Sequence, residues 1–288
     1  MNRQPRLLVT DLDNTLYDWV GYFAASFYAM VDELLRLVPV ERERLLDGFR
    51  DVHRLHHNSE HPFALLEVAA IRQYFGDASD EEVLAALDPA LHAFNSTRKR
   101  TLKLYEGVRE TLASLSARGT ILVGHTEAIV PNACFRLEML EIGGFLKHLY
   151  ALDGSQAAHP RGGPNRSPPP GYVRLVPRED RKPNPALLLD ICRRESVQPS
   201  EVWYVGDSLT RDIGMATRAG VVAMWARYGT KVDAEDWRRL VRITHWTDED
   251  VRREAELKLA FADAKPDYTI DRFDDLLKLM QPPGAQEP

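Results

Sequence analysis

Cysteine is almost absent from this chain of 288 residues; only Cys134 and Cys192 occur. Two cysteines so far apart exclude a disulfide framework and a CxxC metal signature, and they read as free thiols of a reducing compartment. Long apolar runs are missing too. No stretch is long enough to span a bilayer, and the polar residues Met1 to Arg6 lead straight into a strand-like run without a signal-peptide core. The expected location is cytoplasmic, with no membrane partner. Positive charge is not in excess either. A formal net charge of -6 argues against nucleic acid as a partner, because phosphate backbones are held by basic surfaces. Small phosphate esters escape that exclusion, since they need only a local positive site. What is present is ordinary for a soluble globular protein: 44% hydrophobic and 28% charged residues. The length suits one large domain or two modest ones.

Leu7-Leu8-Val9 is a short apolar run that ends at Thr10-Asp11, which predicts a buried strand. The period then changes. Val20, Phe23, Ala24, Phe27, Val31, Leu34, Leu35 and Val38 recur at helical spacing, and Asp18 is placed to cap that helix. Further helices are expected up to about Phe94, one from near Pro62 and one at Ser79, where Glu82 completes a capping-box pattern. No strand is expected between Leu16 and Arg98. From Leu102 helices and strands alternate. Strands are expected at Ile121 to Gly124, Leu149 to Leu152, Val202 to Val205, Val221 to Trp225 and Tyr268 to Ile270. Helices are expected after Val108, around Asn132 to Leu140, from Asn184-Pro185, over Leu209 to Arg218 and over Asp271 to Met280. Such alternation implies a Rossmann-like α/β core, a parallel sheet covered by helices on both faces. His159 to Asp180 is rich in Pro, Gly and Arg and reads as a long loop, with a short strand at Tyr172 to Val176. Lys231 to Lys265 reads as polar helix packed outside the sheet.

Four features sit at the ends of core elements. Asp11-Leu12-Asp13-Asn14-Thr15 follows the first strand, and ligands of open parallel sheets bind beyond the carboxyl ends of the strands. Two carboxylates spaced by one residue can there divide labour as nucleophile and general acid–base; alone, they also read as a polar turn. Thr126 follows the second strand, where its hydroxyl can meet a phosphate oxygen or simply cap a helix. Lys182-Pro183 precedes a helix start, so the lysine adds a full charge where anions already bind well, or else is a surface lysine. Gly206-Asp207-Ser208-Leu209-Thr210-Arg211-Asp212 follows a later strand. Asp207 can there offer its oxygen to a hard cation.

Taken in order, strand-DxDxT, strand-Thr, Lys-Pro before a helix and strand-GDSxxxD resemble the four motifs of haloacid dehalogenase-like hydrolases. The resemblance covers about residues 5 to 16 and 102 to 280. It implies a Rossmann-like catalytic core of residues 1–16 and 102–288, with residues 17–101 as an inserted all-helical cap domain. It also implies a phosphatase that takes a small phosphate monoester, a nucleotide or sugar phosphate, as a monomer or homodimer. Asp11 would be the nucleophile that forms an aspartyl-phosphate, and Asp13 the general acid–base. Mg²⁺ would be held by Asp11, the backbone carbonyl of Asp13, and Asp207. Thr126 and Lys182 would bind the phosphoryl oxygens, with Asp212 and Ser208 in support. Phosphoryl transfer needs in-line positioning and neutralised charge, which a magnesium ion and a lysine supply.

Some features stand outside that pattern. Glu127 follows Thr126 where many relatives carry Asn; it must point away from the phosphate or touch a substrate hydroxyl. Tyr17 and Trp19 are placed to line the pocket or to pack the base of the cap. His53, His56, His57 and His61 cluster in the cap, with the first three expected near one helical face and no carboxylate set to complete a metal site. Arg98, Lys99, Arg100 and Lys103 read as a solvated hinge. Carbon–halogen hydrolysis is disfavoured by Asp13. Phosphonate hydrolysis through a cap lysine is disfavoured because no lysine lies between Tyr17 and Arg98. A phosphomutase or a non-catalytic regulatory protein on the same core are the remaining alternatives.

Overall fold

The structure is a computed structural model that describes residues 4–61, 63–154 and 168–280. Seven parallel strands form one sheet in the order β4-β3-β2-β1-β5-β6-β7. They are β1 Leu7–Thr10, β2 Ile121–Ile129, β3 His148–Leu152, β4 Val173–Val176, β5 Val202–Gly206, β6 Val222–Ala226 and β7 Tyr268–Ile270. The chain winds outward from β1 through β2, β3 and β4, then returns to place β5, β6 and β7 on the other side. Its direction therefore reverses at β1 and β5, where Thr10 pairs with Val205. Side chains alternate across β1: Leu8 joins the core on one face, and Leu7 and Val9 the core on the other.

Among the described residues no named strand lies between β1 and β2, and the chain first forms α1 Trp19–Leu37, α2 Arg42–Leu55, α3 Ala69–Phe75, α4 Asp80–Ala86 and α5 Asp88–Thr101. Asp18 accepts from Gly21 N at the start of α1, and the Ser79–Glu82 capping box is formed on α4. The helix expected from near Pro62 starts later, at Ala69, after a 3₁₀ turn at Ala64–Leu66. The insert leaves and rejoins the sheet at one place. Tyr105 N donates to Leu16 O at 2.9 Å, and Tyr17 pairs with Leu104 across an isolated bridge. Its apolar interior, with Phe23, Phe27, Leu45 and Phe49, runs continuously into the sheet core through Leu12 and Leu16.

The remaining helices are α6 Val108–Ala117, α7 Val130–Met139, α8 Pro185–Arg194, α9 Gly214–Arg218, α10 Ala234–Ile243, α11 Asp248–Ala260 and α12 Asp275–Leu279. A single π-helical turn, Leu209–Ile213, leads into α9. Two expectations need correction. The second strand continues to Ile129 with a shift in register after His125, so Thr126 lies within it and not at its end. And α10 docks on the helical insert, not on the outside of the sheet. Tyr28 Oη donates to Arg239 O at 3.2 Å, and His53 Nδ1 donates to Ile243 O at 2.6 Å. Arg242 pairs with Glu43 at 2.8 Å and Asp47 at 2.9 Å. These contacts answer a need. The polar face of α10 gives charges to α2, while Leu240 and Ile243 are buried in the shared core. The long loop expected over 159–180 falls partly outside the described residues; within them β4 forms at the sheet edge beside β3.

Candidate active site

Asp11 stands at the carboxyl end of β1, its backbone N–H donating to Val205 O at 2.8 Å. The next residues turn sharply. Asn14 takes a left-handed conformation (φ 58°), and its side-chain oxygen accepts from Trp19 N at 3.1 Å. Gly229 comes so close to this turn that an added Cβ would strike Asn14 O and sit 2.9 Å from Asp207 Cβ. Tyr228 Oη donates to Thr15 O at 2.6 Å. One short segment after β6 thus clamps the turns that follow β1 and β5.

Lys182 is buried and bridges two carboxylates, with Nζ 2.5 Å from Asp11 Oδ1 and 2.8 Å from Asp212 Oδ1. Thr15 Oγ1 donates to the other oxygen of Asp11 at 2.9 Å. Asp212 also accepts from Ser208 N at 3.0 Å and from Tyr204 Oη at 3.1 Å. Asn184 caps α8 by accepting from Leu187 N, and Pro185 occupies the first turn, which fixes the chain just after Lys182. Asp11, Asp207 and Asp212 bring carboxylate oxygens within 4.8 Å of one another. Burial pushes the Asp11 carboxyl up to about 7; Lys182 opposes this, and the charges of Asp212 and Asp13 reinforce it. Burial, and then the charges of Asp11 and Asp212, push Asp207 well above the usual carboxylate range. For Lys182 burial works against the charge, but Asp11 and Asp212 outweigh it and hold the ammonium firmly protonated.

These observations test the cluster as a cation site. It offers three hard oxygen donors and a single ammonium, and Asp207 has no cationic side chain against it among the described residues. A divalent cation with oxygen preference fits that deficit.

Asp13 lies beside the cluster and is also raised by burial, with Arg136 opposing. Sequence reasoning missed Arg136, a fully buried arginine on α7. Its Nε donates to Tyr17 Oη at 3.0 Å, its Nη1 to both oxygens of Glu60 at 2.8 and 2.9 Å, and its Nη2 to Asp13 at 3.3 Å. A sequence signal existed: Arg136 falls in the buried stripe of α7 with Ala133 and Leu137, a position where an unpaired arginine is not tolerated.

The other expected residues divide. Thr126 is buried, and its Oγ1 accepts from Ala128 N at 3.0 Å, which leaves its hydroxyl proton free. Ser208 is an N-cap that accepts from Arg211 N. Glu127 is held by Arg211 Nη1 at 2.6 Å, and Arg211 also grips Glu254 on α11 at 2.7 Å; the carboxylate that departs from the family pattern is thereby tethered to a guanidinium that it shares with a second carboxylate. Tyr17 is not on a pocket wall. It is fully buried, and its hydroxyl oxygen accepts from Arg136 Nε at 3.0 Å, which sets it beside Asp13. Trp19 stacks on Phe23 with ring centroids 5.4 Å apart. His125, buried on β2, is kept neutral by burial.

The histidine cluster is split. His53 is buried in the joint with α10, and burial lowers it to about 4. His56 and His61 stack with ring centroids 3.6 Å apart, and their Nε2 atoms meet Glu67 at 2.7 and 2.9 Å. The carboxylate that sequence reasoning found lacking is thus Glu67. The parallel rings aim side by side at one carboxylate, which satisfies them as hydrogen-bonding groups. The basic run is not uniformly solvated, since Arg98 lies over the Phe135 ring at 3.9 Å.

Compared with known proteins, residues 5–220 match the family of haloacid dehalogenase-like hydrolases, and residues 180–276 match a HAD-hydrolase-like family. The chain is 26% identical over 282 residues to a glyceraldehyde 3-phosphate phosphatase of Methanopyrus kandleri, across 96% of this chain and 97% of that one. It is 28% identical over 240 residues to a phosphoglycolate phosphatase of Pseudomonas putida, across 80% and 74% respectively. A solved 2-haloacid dehalogenase of Pseudomonas syringae pv. tomato aligns with a TM-score of 0.54 at 20% identity, across 96% and 98%. That last likeness extends to the fold alone.

Proposed function

The chain belongs to the haloacid dehalogenase-like hydrolase family, and from that premise we propose that it is a phosphatase of small phosphate monoesters that works through Asp11 and requires Mg²⁺. The observation that carries this reading is the convergence of Asp11, Lys182, Asp207 and Asp212 where the sheet reverses direction. Such a switch point is where open α/β sheets place their ligands.

In this reading an oxygen of Asp11 attacks phosphorus while the bond to the leaving oxygen breaks. Asp13 gives its proton to that oxygen, the alcohol departs, and the phosphoryl group stays on Asp11. Asp13, now ionised, takes a proton from a water whose oxygen attacks the phosphorus. Inorganic phosphate leaves and both carboxyls are restored. Lys182 and Thr126 hold the phosphoryl oxygens. Asp11, Asp207 and the backbone carbonyl of Asp13 hold Mg²⁺, and Asp212 fixes Lys182 beside them. When bound, Mg²⁺ supplies the positive charge that lets an anionic nucleophile approach an anionic ester. Residues 17–101 serve as a cap over the site, and residues 1–16 with 102–288 as the catalytic core. The ion pair of Glu127 with Arg211 weakens its repulsion of a phosphate.

Relatives named for glyceraldehyde 3-phosphate and phosphoglycolate place those two esters first in a substrate panel. The test is phosphate release from that panel and from 4-nitrophenyl phosphate, with Mg²⁺ and with EDTA, for wild type and Asp11→Asn. Expected are metal-dependent turnover and a loss of at least about 10³-fold in the variant, since nothing replaces the nucleophile. Turnover in Asp11→Asn equal to wild type would remove Asp11 from the mechanism.

A further inference from the structure

We propose that Arg136 is a positioning residue which, clamped by Glu60 of the helical insert, aims Asp13 at the leaving oxygen. This rests on the phosphatase reading above, in which Asp13 is the proton donor. The geometry is that of a rigid fork with unequal tines. Nη1 makes two short contacts to Glu60, at 2.8 and 2.9 Å, which fix the plane of the guanidinium. Glu60 is itself held by Tyr22 Oη at 3.1 Å and Asn132 Nδ2 at 3.3 Å. Nε fixes the other edge through Tyr17 Oη at 3.0 Å. Only Nη2 reaches Asp13, and it does so loosely, at 3.3 Å from both carboxylate oxygens. Such a contact orients the carboxyl without gripping either oxygen tightly.

A second observation points the same way. Asp13 Oδ1 is buried and has no hydrogen-bond partner. Its polar neighbour is Arg136 Nη2 at 3.3 Å, too poorly aligned for a hydrogen bond; buried polar atoms without such a bond are rare and costly, so this oxygen has bonding capacity left for a group that arrives with the ester. Arg136 is on α7 of the sheet domain, and Glu60 lies in the insert between α2 and α3. The aim of Asp13 therefore depends on the insert sitting where it does.

A merely structural arginine, stapling insert to sheet, would on loss slow every ester alike. A positioning role shows only where the leaving oxygen needs a proton. The experiment compares an alkyl phosphate that wild type hydrolyses, glycerol phosphate or one of the two esters above, with 4-nitrophenyl phosphate, whose leaving group departs without protonation. Arg136→Lys keeps the charge and loses the fork; Glu60→Gln keeps the shape and loses the clamp. Each is expected to lower kcat on the alkyl ester by about 30-fold or more, within the ~10²–10⁴ that general acid catalysis supplies. The loss on the aryl ester should be at least about tenfold smaller. Equal losses on both esters in a variant with a wild-type melting profile overturn the proposal, as does an undiminished kcat on the alkyl ester. If Arg136→Lys does not fold, the same comparison on Glu60→Gln decides. A wild type inert on both esters overturns the phosphatase reading and this inference with it.

Discussion

Lys182→Met removes the single ammonium from a group of three carboxylates, two of them buried, while keeping most of the side-chain volume. Its Nζ lies 2.5 Å from Asp11 and 2.8 Å from Asp212, and all three side chains are nearly inaccessible, at 3%, 9% and 3%. Removing one partner of a buried ion pair typically costs about 3–5 kcal/mol, because the charges left behind are uncompensated. Here the carboxyls have an escape, which is to take up protons. Asp11 already sits near 7 with the lysine present, and without that opposing charge it moves higher. The sign follows from linkage. A carboxyl raised in the folded state contributes stability that is full below its unfolded value near 4 and is lost as pH rises through its folded value. The metal-free variant should therefore melt close to wild type at pH 5. At pH 8 it should melt about 6–20 °C lower, taking roughly 2–4 °C per kcal/mol for a protein of this size. Circular-dichroism melts in EDTA at the two pH values read this directly. A deficit equal at pH 5 and pH 8, or none at pH 8, would refute the view that Lys182 is the counter-charge of a buried acidic cluster.

Two further outcomes follow from the same physics. Gly229→Ala places a methyl against Asn14 O and 2.9 Å from Asp207 Cβ; overpacking of this kind costs about 1–3 kcal/mol. Because it spreads the two turns that carry Asp11 and Asp207, kcat should fall by more than about tenfold, and an unchanged kcat would sink the clamp. His53 is lowered to about 4 by burial and donates to Ile243 O. A base lowered in the folded state stabilises above its unfolded value near 6.5 and loses that contribution as pH falls towards 4. On the order of 3 kcal/mol should drain away over that window. His53→Gln should flatten the acid limb of the melting curve, and an unaltered limb would assign the loss elsewhere.

What could be read from the sequence was whatever is local. Asp11, Lys182 and Asp207 each sit beside a strand or helix end that apolar runs, Gly206 and Asn184-Pro185 mark within a few residues. The parallel sheet follows from alternation alone. Residues that meet only through tertiary packing left no such mark. Glu60 is in a histidine-rich loop of no evident pattern, and its bond to Arg136 spans 76 positions. Gly229 matters only because β6 lies beside β5 in the sheet. Thr126 was misplaced within its strand because the polar residues His125, Thr126 and Glu127 hide the continuation of β2 to Ile129. Likewise the charged sequence of α10 conceals that its partner is another helical layer, reached by arginines whose stems cover apolar surface.

That docking of α10 ties the helical insert to the later chain. An insert joined only at Leu16 and Tyr105 would swing as if on one post. This one is also strapped by Arg239, Ile243 and Arg242 to Tyr28, His53 and Glu43, so whatever swings must carry a piece of the later chain along. Two bulky attachments restrict the travel of the insert against the sheet far more than one would.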